Sequence, residues 1–268
     1  MGNRTVSDMS EEQTISAGKQ DRIAKVIARA GICSRREAER MIVDRRVTLN
    51  GQVLETPAIT VVPDDFITVD GMPLADPSPT RLWLYHKPEG LVTTNRDEKG
   101  RATVFDRLPA ELPRVISVGR LDLNSEGLLL LTNDGALARR LELPKTGWVR
   151  RYRVRVRGRI DEEKLATLTD GIVIDGIKYG PVTAALEHQA QSNAWLSLAL
   201  REGRNREVRK LCEHFCWPVT RLIRVSFGPF QLGKLERGAV SEVSARVLRQ
   251  QLGKEDVNAK KRHAHHRR

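Results

Sequence analysis

The chain has 268 residues, enough for one large domain or two smaller ones, and its 40% hydrophobic content supplies material for a packed core. Its net charge of +12 calls for a polyanionic partner, nucleic acid or an acidic membrane surface. No apolar run approaches the ~18 residues that a bilayer span needs, which excludes a membrane-spanning reading. Residues 1–20 are polar, unlike a secretory leader, and three cysteines fit a reducing cytosol, so the expected partner is nucleic acid in the cytoplasm. Cys212, His214 and Cys216 lie close in sequence, but no second cluster completes a ligand set. They are expected to hold no metal, with the two cysteines one helical turn apart in an apolar setting.

Residues 1–19 are polar and aperiodic and read as a disordered tail. A small domain follows over residues 20–72. Ile23, Val26, Ile27 and Ala30 recur at helical spacing up to Gly31, and Ser34 with Glu37 forms a capping box for a second helix. Asn50-Gly51 and Asp70-Gly71 each mark a hairpin. Between Arg22 and Arg46 the segment carries eight cations against three acids, a net +5. Such a run usually marks only a solvated face. Here the cations lie on two short helices that lead into a hairpin, an arrangement able to displace counterions from phosphates. Arg22, Arg35, Arg36, Arg45 and Arg46 are the candidates for RNA contact. Pro73, Pro77 and Pro79 stiffen a linker over residues 73–80.

The larger domain covers residues 81–248. Leu82–His86 reads as a strand that exits through Lys87-Pro88-Glu89-Gly90, and Gly100–Pro109 reads GRATVFDRLP. Gly119–Gly135 reads GRLDLNSEGLLLLTNDG. Four leucines, 128–131, are too few for a globular helix and fit a strand buried on both faces, with Asp134 capping a helix after it. Asp122 falls in the polar loop before that strand; a lone loop aspartate most often only caps a turn. In Arg150–Arg159, arginines 151, 153, 155 and 157 alternate with Tyr152, Val154 and Val156, so the tyrosine faces the core. Asp161–Leu168 reads as a helix, Asp175-Gly176 as a hairpin turn and Ala194–Leu200 as a strand. The run REGRNREVRKLCEHF then passes from a basic loop, with Arg204 and Arg206, into a helix carrying Arg209 and Lys210. Arg221 and Arg224 are expected to extend the basic surface, and residues 249–268 to form a basic disordered tail.

These stretches resemble known families. SRREAERMIVDRRVTLNG, residues 34–51, looks like an S4 RNA-binding domain, in which an Arg-rich helix pair grips folded RNA. KPEG, TVFDRLP, GRLD with SEGLLLLTNDG, the strand tyrosine and EGRNREVRKL occur in the order of the RsuA/RluB-type pseudouridine synthases, and the turns resemble the RluB branch most. The resemblance runs from about Asp21 to Val247. It implies an α+β protein: a small N-terminal S4 (α-L) domain joined to a catalytic domain built on a long mixed, mostly antiparallel sheet flanked by helices. It makes Asp122 the catalytic residue, places Tyr152 against the target base and pairs Arg209 with the Asp122 carboxylate. Arg120 is expected to fill the gap left by the flipped base or to hold the backbone. Arg204, Arg206 and Lys210 are expected to contact RNA.

The implied reaction breaks the N1–C1′ bond of a uridine, rotates the uracil and rejoins it through C5. Nothing is oxidised and no group is lost, so the chemistry requires no cofactor or metal. It requires a carboxylate, a cation to hold it ionised and a flat platform for the base. By the resemblance the substrate is ribosomal RNA, 23S ahead of 16S or transfer RNA, and the enzyme a monomer. Two other classes fit part of the sequence. A non-enzymatic S4-type RNA-binding or ribosome-assembly protein would not need the Asp122–Tyr152–Arg209 set. A hydrolytic RNA N-glycosidase would need a second carboxylate, for which Glu126 is the near candidate.

Overall fold

The computed structural model describes residues 20–143 and 146–252; the expected tail over residues 1–19, and the other tail from 253 onward, lie outside the described residues. The chain divides into two compact units between Ser78 and Pro79. No helix among the described residues is long and apolar enough to cross a membrane.

In the first unit, β1 (Asp21–Arg22) runs into α1 (Ile23–Arg29), and α2 (Arg35–Val43) follows. The Ser34 hydroxyl accepts the Glu37 N–H at 3.2 Å, capping α2 as the sequence indicates. The strands β2 (Val47–Leu49), β3 (Gln52–Val53), β4 (Thr60–Val61), β5 (Ile67–Val69) and β6 (Met72–Pro73) complete the unit. Four of them form an antiparallel sheet in the order β3-β2-β5-β6, and β4 pairs with β1. At Asn50-Gly51 and Asp70-Gly71 both residues have positive φ, the two-residue turn whose twist matches the flanking strands. The helices pack Ile23, Ile27, Ala38 and Ile42 into one core with Val47 of β2, all fully buried.

The second unit is built on one nine-stranded sheet. In chain order it contains β7 (Leu82–Lys87), β8 (Ile116–Val118), β9 (Glu126–Thr132), α3 (Gly135–Glu142), β10 (Arg150–Arg157), α4 (Glu162–Ala166), β11 (Ile172–Ile174), β12 (Ile177–Tyr179), β13 (Val182–Gln189), β14 (Asn193–Leu200), α5 (Glu207–His214), β15 (Val219–Phe227), β16 (Phe230–Gln231), β17 (Val240–Glu242) and α6 (Ala245–Leu252). The sheet runs β13-β14-β10-β15-β9-β7-β17, with β16 beside β15 and β8 beside β9; β11 and β12 form a separate hairpin. Every pairing in the sheet is antiparallel except β15 with β9. This is the expected mixed, mostly antiparallel α+β architecture.

The leucine run explains the layering. All seven residues of β9 are buried. Leu128 and Leu130 face a core shared with Leu137, Leu141 and Leu248 of α3 and α6. Leu129 and Leu131 face the other, with Val154, Leu196, Leu198 and Leu211. At the parallel junction Gly127 pairs with Arg224 at a φ of 104°, and a Cβ there would lie 2.3 Å from the Arg224 carbonyl oxygen. Only glycine allows the two backbones so close. Two boundaries differ from the sequence reading. The helix expected over 161–168 is a short α4 followed by a 3-10 turn over Thr167–Asp170. The second unit continues past residue 248, because α6 buries Leu248 and Leu252.

Candidate active site

The loop 119–125 leads into the central strand β9 and is held by its carbonyls. The Thr93 hydroxyl donates to the Leu121 carbonyl at 2.8 Å, and the Gly90 N–H to that of Leu123 at 2.9 Å. Lys87, the last residue of β7, is fully buried, and its ammonium donates to the carbonyls of Pro88 (3.0 Å), Asp122 (3.1 Å) and Ser125 (2.8 Å). Arg209 of α5 donates to the Asn124 carbonyl at 2.6 Å. Consecutive carbonyls from Leu121 to Ser125 are thus each fixed by a donor from elsewhere in the fold. The half-buried Asp122 side chain makes no hydrogen bond or ion pair with any described residue. A rigid backbone therefore presents a carboxylate left available for chemistry.

That carboxylate lines a cleft of about 750 Å³, together with Arg120, Tyr152, Arg204 and Arg206. Tyr152 lies on the buried face of β10, 8% exposed, where its ring is a flat wall. Arg120 is exposed and has no hydrogen bond or ion pair to a described residue. Arg150 and Arg224, both nearly buried, also border the cleft, with their guanidinium carbons 4.6 and 5.2 Å from the Phe227 ring centroid. Glu207, the first residue of α5, accepts the Arg204 N–H at 2.9 Å through one oxygen, while its buried Oε1 has no partner among the described residues. Burial pushes the Glu207 carboxyl above the usual range.

The electrostatics of the loop follow from the same contacts. Burial lowers the Lys87 ammonium from 10.5 to about 8, against the opposing pull of Asp122, Glu89 and Glu126. Burial likewise lowers Arg209. Glu126 sits under Arg221, which grips it through Nε and Nη2, and Arg237, whose Nη2 is 2.9 Å away. Burial alone would raise the Glu126 carboxyl, but the two arginines outweigh it and hold it below the usual range. A carboxylate fixed in this way makes a poor proton donor and lies outside the cleft lining, so Glu126 does not fit the general-acid carboxylate of a hydrolase.

A model of RNA pseudouridylate synthases matches residues 81–214, and a model of S4 domains matches residues 21–67. The chain belongs to the RNA pseudouridylate synthases. An uncharacterized RNA pseudouridine synthase of Rickettsia felis is 46% identical over 227 residues, 85% of this chain and 98% of that one. The ribosomal large subunit pseudouridine synthase B of Pseudomonas aeruginosa is 40% identical over 265 residues, 94% of this chain and 67% of that one. A solved structure described as a pseudouridylate synthase is 26% identical, with a TM-score of 0.60, and the match covers 87% of this chain and 99% of that one. As a pseudouridylate synthase the protein is an enzyme acting on RNA, and the purely structural RNA-binding alternative is set aside.

Set against this synthase cleft, the residues named from sequence fall into groups. Asp122, Arg120, Tyr152, Arg204 and Arg206 border one cavity. Arg209 does not pair with Asp122 as the resemblance implied: no ion pair within 4 Å joins them, and its guanidinium is drawn instead to the carbonyl of Asn124. Its charge still favours that of Asp122. Lys210 is half-buried and outside the cleft lining. In the S4 unit Arg22, Arg35 and Arg36 are exposed, with the Arg35 Nε 3.5 Å from Glu39. Arg45 is engaged by Glu55 at 2.9 Å and Arg46 by Asp70 at 2.6 Å, so neither is an unoccupied cation. Arg224, expected on the surface, is 3% exposed. Cys212 is buried, with its thiol pushed up to about 12, but Cys216 lies beyond the end of α5, exposed and at positive φ, so the two do not share a helical turn. Sequence reasoning missed Lys87, Thr93, Arg150 and Glu207. Arg150 carried a signal, since it is in phase with Tyr152 and Val154 on the buried face of β10.

Proposed function

We propose that this synthase isomerises a uridine of ribosomal RNA, in 23S rather than 16S or transfer RNA, as a cytoplasmic monomer that needs no cofactor. The observation that carries the chemistry is the Asp122 carboxylate, unengaged on a loop whose carbonyls are clamped, in a cleft walled by Tyr152. The likeness to a large-subunit synthase over 94% of the chain supports the choice of RNA.

In this reading the target uridine is unstacked from its helix, at a cost of a few kcal/mol, and its base enters beside Tyr152. Asp122 acts on the sugar as the N1–C1′ bond breaks: either it bonds to C1′ as an ester that C5 later displaces, or it takes the C2′ proton and returns it to C2′ when C5 bonds to C1′. The uracil turns, C5 bonds to C1′, the C5 proton is lost and N1 is protonated. Lys87 and Arg209 act through the backbone, holding the carboxylate in reacting geometry. The exposed Arg120, Arg204 and Arg206 at the rim meet phosphates, with Arg120 placed to fill the gap left by the flipped base. Arg22, Arg35 and Arg36 give the S4 domain its grip on folded RNA.

Carbodiimide–primer-extension mapping of ribosomal RNA from cells with and without the gene, complemented by wild type or Asp122→Asn, tests the proposal. A stop in 23S RNA that disappears without the gene and returns only with Asp122 is expected. An unchanged pattern of ribosomal stops would overturn the choice of RNA.

A further inference from the structure

The arginines of the cleft divide by depth. Arg120, Arg201, Arg204 and Arg206 are exposed, but Arg150 and Arg224 are 7% and 3% exposed. The two deep guanidinium groups lie over the Phe227 ring and donate hydrogen bonds to carbonyls rather than carboxylates. Arg150 donates to Trp148 (3.2 Å) and Arg201 (2.7 Å), and Arg224 to Leu128 (2.7 Å). Neither has a carboxylate within 4 Å among the described residues. Glu207 and Glu142 face Arg150 at longer range, and Glu142 already accepts the Gly119 N–H at 2.7 Å. The Nη2 of Arg224 is buried without a hydrogen-bond partner among the described residues. Register places Arg224 directly across from Tyr152, the wall against which the base is read to pack.

Two nearly buried cations with no carboxylate in contact are costly unless an anion joins them. Phosphates of an entering strand meet the exposed rim, whereas a base that enters first reaches the floor. Uracil is neutral on entry but not during the reaction. When N1–C1′ breaks, the bonding pair leaves with the base and spreads over N1, O2 and O4, whether Asp122 acts as nucleophile or base. When C5 bonds to C1′ the base gives a pair to the new bond and Asp122 is freed, either leaving C1′ as the carboxylate or returning its proton to C2′; loss of the C5 proton and protonation of N1 then complete the product. We infer that Arg224 and Arg150 are catalytic residues, binding the uracil O2 and O4 oxygens and receiving the negative charge the base carries while detached. The inference rests on the proposed isomerisation in this cleft, and donors fixed beforehand where charge develops are the arrangement that stabilises such a state.

The test uses the full-length protein and a short RNA hairpin around the mapped uridine, carrying uridine or 5-fluorouridine at that position. Fluorine withdraws electrons and makes the base a better anion, so it should compensate for a lost arginine; with no C5 proton to lose, the rejoined fluorinated base takes up water across N1 and C6 instead, and consumption of the starting nucleoside is the readout for both substrates. Single-turnover consumption of the target nucleoside, followed by digestion and chromatography, is compared for wild type, Arg224→Gln and Arg150→Gln. Each variant should lose ~10²–10³-fold on uridine, as for removal of one oxyanion donor, with RNA affinity kept within a few-fold. The ratio of the 5-fluorouridine rate to the uridine rate should rise by about tenfold over wild type. That ratio is independent of how much variant is folded. An unchanged ratio would reduce the arginines to a structural role, and weakened RNA affinity with the saturated rate intact would make them phosphate contacts; either overturns the inference. A wild-type enzyme that consumes neither nucleoside would overturn the pseudouridine reading instead.

Discussion

Replacing Lys87 by methionine tests whether the catalytic loop is held by its backbone. Two effects oppose. Methionine removes a buried ammonium whose titration has moved from 10.5 to about 8, a gap worth about 3 kcal/mol at ~1.4 kcal/mol per pH unit. It also strips the carbonyls of Pro88, Asp122 and Ser125 of a charged donor, at ~1–3 kcal/mol each for those of Pro88 and Ser125, while the Asp122 carbonyl keeps the Ser125 N–H at 3.0 Å. The balance at pH 7 is a loss of about 2 kcal/mol. The lysine is harder to protonate folded than unfolded, so between about 8 and 10.5 the unfolded chain binds more protons and wild-type stability rises with pH. Methionine has no such dependence, so the deficit of the variant should widen by about 3 kcal/mol from pH 7 to 10.5. Urea unfolding at a series of pH values measures it. Displacing the Asp122 backbone by about 1 Å should also slow single turnover ~10²-fold. A deficit that stays flat with pH, or a variant with the wild-type rate, would refute the loop-clamp account.

Four other substitutions probe separate parts of the argument. Asp122→Asn should abolish pseudouridine formation while filter binding shows RNA affinity within a few-fold of wild type, because the arginines carry binding; wild-type turnover would overturn the mechanism. Gly127→Ala puts a Cβ 2.3 Å from the Arg224 carbonyl oxygen and should cost about 3 kcal/mol in urea unfolding, while a change under ~1 kcal/mol would show that β9 and β15 can part cheaply. Arg36→Glu should weaken RNA binding and lower the slope of log affinity against log salt by about one, more than Arg46→Glu, because Arg46 is already held by Asp70; equal effects would contradict that ranking. Arg221→Met should destabilise by about 1–2 kcal/mol at neutral pH, less than for a fully buried pair because Arg237 remains. The Glu126 carboxyl is held low, so its contribution is present above the ordinary carboxylate range and lost as pH falls through the folded value. The deficit of Arg221→Met should therefore fade in acid, and a deficit that persists there would assign the effect to packing.

Much of the fold was legible because it is written in local pattern. Period-two alternation gave β10, Asn-Gly and Asp-Gly gave the hairpins, and a leucine run too short for a helix gave the doubly buried β9. Asp122 was different. Its loop looks like any polar turn, and only resemblance singled it out. Lys87 was invisible for a physical reason: it acts on main-chain carbonyls 35 and 38 residues away, and carbonyls have no sequence signature. Arg224 was misread because arginine is ordinarily exposed, although Leu222, Arg224 and Ser226 share one buried face of β15. Arg209 was read as the partner of a carboxylate when the fold uses it to hold the adjacent carbonyl.

These corrections change what the charge of +12 means. Several exposed arginines are paired, among them Arg45 with Glu55, Arg46 with Asp70, Arg153 with Glu187 and Arg204 with Glu202. Such pairs are worth ~0–1 kcal/mol, so an arriving phosphate can displace the carboxylate at little cost. The buried cations Lys87, Arg150, Arg209 and Arg224 are bound to carbonyls instead. Moving one of them would orphan a buried acceptor at ~1–3 kcal/mol each, so they remain in place when RNA arrives. Salt screens the first population and hardly touches the second. The exchangeable arginines therefore govern capture of the RNA, and the fixed cations govern the geometry and charge that the reacting base meets.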